Sequence, residues 1–154
     1  MHVRTGVQQS FGEPSGRRSI GVARFNTVPM TESWDDRNVP IQLKPILDAI
    51  LQQYALRING HHGVVHWARV LENGLKLSEQ TGANLEVVSL FAVFHDSRRR
   101  RESADPQHGQ RGADFAASLR GEFFELPDQE FELLYRACAG HTHESSDPDV
   151  TVQT

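Results

Sequence analysis

The stretch from His61 to Asp96 opens HHGVVHWARV, runs through an amphipathic segment and closes LEVVSLFAVF, followed directly by His95-Asp96. Imidazole and carboxylate are both metal ligands. A charged pair at the end of an apolar helix must be paired, solvated or metal-bound, because burying it bare is costly. On that ground His66, His95 and Asp96 are read as the holders of a metal ion, converging on one point in the folded domain.

A chain of 154 residues suits one domain, and a hydrophobic fraction of 38% builds a modest core if the apolar residues lie on helical faces. The net charge of -4 and a pI near 6.0 give no reason to expect binding to nucleic acid or to a membrane surface. The local exception is Arg98-Arg99-Arg100-Arg101, just after the His-Asp pair. The single cysteine, Cys138, excludes an internal disulfide and a thiolate zinc cluster. No apolar run is long enough for a bilayer and the N-terminus lacks a signal-peptide core, so the expected location is cytoplasmic. Eight histidines are many for this length, and all but His2 lie between His61 and His143.

Residues 1–40 hold Gly, Ser, Pro, Arg and Gln without a sustained apolar period, which predicts a loosely ordered tail dispensable for the fold. Met30 is a candidate internal start. The helical domain is expected over residues 41–154. Its first helix carries Leu43, Ile46, Leu47, Ile50, Leu51, Tyr54 and Ile58, with Asn59-Gly60 as its stop. The second runs from about His62 to Thr81, facing inward with Val65, Ala68, Leu71 and Leu75 and ending at Gly82. Asn84 is expected to cap the third, the central helix, through Leu85, Val88, Phe91, Ala92 and Phe94. Asp105-Pro106 reads as cap and first residue of a fourth helix carrying His108, Ala113, Phe115, Ala116 and Leu119, stopped by Gly121. Pro127 opens a fifth, with Phe131, Leu134, Tyr135 and Cys138 inward, to Gly140. Asp147-Pro148 repeats the start signal. No stretch alternates as a sheet strand does, so the fold class is all-α.

Taken singly, the histidines are weak signals. His66, beside an apolar stripe, reads as a hydrogen-bonded core residue, and Asp96 as a cap for the loop that follows. His108 suits a helix surface. His141, beyond Gly140, suits a helix C-terminus if protonated. Together they put one imidazole near an end of four successive helices, which scattered histidines would seldom do.

The ordered series His66, His95-Asp96, His108 and His141 resembles the HD-domain superfamily of metal-dependent phosphohydrolases, over roughly Val39 to Thr154. The phrases HWARV, FAVFHDSRR and DPQHGQRGADFA carry the resemblance. It implies a compact helical HD-type domain of about five or six helices, with His66, His95 and Asp96 binding a divalent metal. It also implies that His108 and His141 serve a second metal or the substrate phosphate. The family's last metal-binding aspartate sits on a helix beyond the fifth. The candidate helix here begins at Pro148 and the sequence stops at Thr154, so the domain is expected to be cut short, with Asp147 and Asp149 as helix-start residues.

The implied activity is hydrolysis of a nucleotide or other small phosphate ester. A divalent ion held by imidazoles and one carboxylate polarises a phosphoryl oxygen and acidifies water at one point. Arg98 and Arg99 are the candidates to join Asp96 in catalysis by anchoring the phosphate, whereas Arg100 and Arg101 read as a solvated loop. The ligand set admits Mn, Fe, Co, Zn or Mg and leans towards a transition metal. The expected partner is a small phosphorylated substrate. Two alternatives stand beside it, a di-iron HD-type oxygenase and a non-catalytic helical binding module.

Overall fold

A computed structural model of the chain describes residues 39–142. Nearly all of the expected N-terminal tail, and the segment with Asp147, Pro148 and Asp149, lie outside the described residues. Within them the chain forms five helices: α1 (Leu43–Leu51), α2 (Val64–Thr81), α3 (Leu85–Phe94), α4 (His108–Leu119) and α5 (Asp128–Gly140). A lone bridge between Arg120 and Phe124 is the only β-pairing among the described residues. The all-α expectation holds.

Helix α3 is the hub and packs against α1, α2, α4 and α5, while α4 and α5 also pack on each other. Its sequence explains the placement. Every residue from Val87 to Phe94 is buried, which a helix apolar on most sides requires. Asn84 caps it as expected, its side chain accepting from the amides of Glu86 at 2.9 Å and Val87 at 3.2 Å. Leu85, expected on the inner face, stays 38% exposed in the first turn.

Helix α1 buries Leu43, Ile46, Leu47 and Ile50, the expected stripe, but ends at Leu51, before the Asn59-Gly60 stop. The residues beyond it wrap the start of α2 instead. The Ile58 carbonyl accepts from Val64 N at 3.0 Å and so satisfies one of the free amides of α2. Tyr54 packs edge-on against Trp67 with ring centroids 5.1 Å apart.

In α2 the inner face is rotated from the expected one. Val64, Trp67, Leu71 and Ser78 are buried, whereas Val65 is 44% exposed. Trp67 has far more apolar surface to remove from water than Val65, and its neighbour His66 then lies half-buried at the rim.

Helix α4 begins at His108 rather than at Pro106, and Asp105 is not its side-chain cap. The Asp105 carboxylate instead takes a fork from Arg111 Nη2, both contacts at 2.7 Å, and the Arg100 amide at 2.8 Å. A pair of bonds from a charged guanidinium outweighs the bonds that neutral helix amides would offer the same carboxylate. Phe115, Phe131 and Tyr135 are half-buried, and the deep contacts of α4 and α5 come from Ala113, Ala116, Leu119, Leu134, Ala137 and Cys138. Gly121 follows α4 with φ 86°.

Candidate metal centre

His95 and Asp96 continue the end of α3 into a turn and remain buried, at 3% and 1% exposure. Asp96 is the centre of the cluster. Its Oδ2 lies 3.6 Å from His66 Nε2 of α2 and 3.5 Å from His95 Nε2, and these two nitrogens are 3.1 Å apart. Its Oδ1 lies 3.0 Å from His108 Nε2 of α4 and 3.9 Å from His141 Nε2 beyond α5, and those nitrogens are 2.9 Å apart. One carboxylate thus joins two groups able to hold a metal ion, His66–His95–Asp96 and Asp96–His108–His141.

The backbone fixes which ring nitrogens face inward. His95 Nδ1 donates to the carbonyls of Phe91 and Ala92, at 3.2 and 3.1 Å. His141 Nδ1 donates to Cys138 O at 2.8 Å, and His108 Nδ1 contacts Asp105 O. A carbonyl oxygen only accepts, so each of these Nδ1 atoms carries the proton. In the neutral ring that leaves Nε2 as a lone pair directed at Asp96. Burial lowers the pKa of His66 and His141 and pushes His95 down to about 3, against the opposing pull of Asp96. For Asp96, burial alone would raise the carboxyl, but the contact with His108 and the guanidinium of Arg99 hold it well below the usual range.

Acceptors crowded this way suit a cation. Ligand atoms roughly 2.0–2.2 Å from one ion stand about 2.9–3.6 Å from each other in octahedral or tetrahedral array. The first group, at 3.1, 3.5 and 3.6 Å, fits that range. Carbonyl-anchored Nδ1 atoms are also how metal-binding histidines are oriented.

Glycines let the helices come this close. A Cβ on Gly112 would strike the Phe94 carbonyl, and one on Gly109 would strike Cys138 O and stand 2.9 Å from His141 Nδ1. Gly109→Ala should therefore spread α4 from α5 at His141, lowering stability by about 1–3 kcal/mol and weakening metal binding. Thermal melts and a metal titration check this, and a variant behaving as wild type would contradict the packing described.

The arginines divide. Arg99 Nη1 lies 3.3 Å from Asp96 Oδ1 and 2.9 Å from His108 Nε2. Arg98 is occupied elsewhere. Its Nη1 donates to Gln53 Oε1 at 3.0 Å and its guanidinium lies over the Phe115 ring at 5.0 Å. Sequence reading overlooked three residues at the rim. His62 is edge-on to His66 with centroids 5.9 Å apart, and its Nδ1 is 2.7 Å from Glu102 Oε2. Tyr54 donates to His62 O at 2.8 Å, and its pKa is raised by burial and then by the charges of Asp96 and Glu102. The doublet His61-His62 was the available signal, but Glu102 sits in a loop without periodicity.

No family model matches the chain. No curated protein sequence matches it either. Among solved structures it is similar to a predicted HD superfamily hydrolase from an uncultured Thermotogales bacterium, with a TM-score of 0.59 and 21% identity over 82% of this chain and 70% of that one. Among the described residues no helix is long and apolar enough to cross a membrane. The helical arrangement that carries the His–Asp cluster is shared with that structure at the level of the fold.

Proposed function

We propose that the protein is a metal-dependent phosphohydrolase acting on a nucleotide or another small phosphate ester, with its metal ion held by His66, His95 and Asp96. The observation that carries this reading is the set of inward Nε2 lone pairs, fixed by backbone carbonyls, around one buried carboxylate. Likeness of fold to a protein described as a predicted HD superfamily hydrolase supports the same class. The excess of imidazole over carboxylate favours a transition metal such as Mn, Fe, Co or Zn over Mg.

When bound, the ion supplies a Lewis acid and an acidified water. The chain's own residues do the rest. Asp96 places a full negative charge against the ion's position, and its burial removes competing solvent. His66, whose side chain keeps 31% exposure against 4% for His95, forms the open edge through which a substrate reaches the cluster. Arg99 fixes its Nε on Arg101 O at 2.9 Å and its Nη2 on Ser103 O at 3.1 Å. With Nη1 on Asp96 and His108, that leaves about one N–H for a phosphate oxygen rather than a two-bond fork. Arg98, tied to Gln53 and Phe115, positions the loop after Asp96 and is not assigned a phosphate contact.

The test is phosphate release from a panel of nucleoside phosphates and simple phosphate monoesters, with Mn or Co supplied to the full chain and a chelator control. Chelator-sensitive release is expected. Bound metal with no release from any ester would leave the non-catalytic module, and oxygen uptake by the iron-loaded chain would favour the oxygenase.

A further inference from the structure

The two groups around Asp96 are unequal, and the difference is Arg99. Its guanidinium enters the second group, with Nη1 2.9 Å from His108 Nε2 and 3.3 Å from Asp96 Oδ1. It reaches Asp96 through Oδ1, the oxygen facing His108 and His141, whereas Oδ2 faces His66 and His95. The side chain is also held from behind. Nε and Nη2 donate to the carbonyls of Arg101 and Ser103, the Arg99 amide donates to Asp96 O at 3.1 Å, and only 11% of the side chain is exposed.

We infer that Arg99 is the built-in cation of the second group, so that this chain takes one divalent ion, at His66–His95–Asp96, and admits a second at Asp96–His108–His141 only when the guanidinium is removed. This rests on the metal reading above. Arginine stays protonated at any working pH. A divalent ion in the second group needs the lone pairs of His108 Nε2 and Asp96 Oδ1, to which Arg99 already donates. Two cations sharing those atoms would stand only a few ångströms apart in a site with little water, where like charges repel strongly. The guanidinium neutralises part of the shared carboxylate without supplying a coordination position.

The experiment is metal stoichiometry, independent of turnover. Full-length chain stripped with chelator is titrated with Mn(II), followed by calorimetry and by electron paramagnetic resonance for a spin-coupled pair. Wild type is expected to bind one ion per chain without a coupled signal. Arg99→Ala and Arg99→Gln should bind two and show coupling, Arg99→Lys should remain at one, and Arg99→Ala combined with His108→Ala should return to one. Circular dichroism establishes which variants keep their helices, and the wild-type count is decisive even if none does. Two tight ions in wild type, or one ion in a folded Arg99→Ala chain, would overturn the role of Arg99 and leave the first metal site standing. No ion in wild type would overturn the metal reading itself.

Discussion

Asp96→Asn is expected to lower phosphate release by at least about 100-fold and to weaken metal binding by a similar factor, while the metal-free protein melts within a few degrees of wild type. Even outer partners of a metal ligand change affinity by about 10–100-fold, and Asp96 is itself the carboxylate of both groups. The amide keeps the size of the side chain but removes the negative charge that holds a divalent ion among neutral imidazoles. It also replaces one acceptor by a donor. In the metal-free fold that donor faces nitrogen lone pairs, His95 Nε2 on one side or His108 Nε2 on the other. Those contacts offset the weakened bond from Arg99, which is why stability should change little. The pairing of outcomes is diagnostic. Melting temperature, metal affinity and turnover at limiting metal are the three measurements. Wild-type turnover under those conditions would reduce Asp96 to a residue that organises the loop after α3.

Much of this centre was legible in the sequence because its ligands sit at helix ends, where local rules apply. The apolar run of α3 places His95 and Asp96 at the hub, and the Asn84 cap sets where that helix starts. The close packing at the centre also has a sequence trace, since Gly109 and Gly112 lie in the same phrase as His108. What periodicity missed depended on contacts between distant segments. The rotation of α2 follows from Trp67 meeting Tyr54, and the early end of α1 follows from Ile58 serving α2. The arginine run carried no signal to separate Arg98 from Arg99. Their assignments depend on Gln53, some 45 residues earlier, and on His108, nine residues later. Asp105-Pro106 satisfied a helix-start rule, but Arg111, a turn into α4, offered Asp105 a stronger partner.

Acid should destabilise the metal-free protein before its carboxylates are protonated. His95 is held neutral by burial, its pKa lowered from 6.5 to about 3, so between those values the unfolded chain binds a proton that the folded chain refuses. Stability then rises with pH across that window and is lost as pH falls from 6.5. At one pKa unit per about 1.4 kcal/mol, moving from pH 6.5 to pH 4.5 removes on the order of 3 kcal/mol through His95 alone. For a domain of this size that lowers the melting temperature by on the order of 10 °C. His66 and His141 are shifted the same way by burial and add to the loss, His66 less because solvent reaches it. Asp96 acts in the same sense at lower pH. Its depressed pKa contributes stability that is full above the ordinary carboxyl value of 3.8 and is lost only below it. A drop between pH 6.5 and 4.5 therefore reports the histidines. His95→Asn separates their shares, since its amide N–H can still serve the Phe91 and Ala92 carbonyls while the titrating ring is gone. Melting curves in chelator at constant ionic strength should show the variant with a clearly flatter pH dependence than wild type. Parallel curves would mean that His95 accepts its proton in the folded state, and that the lone pair assigned to Nε2 is already taken.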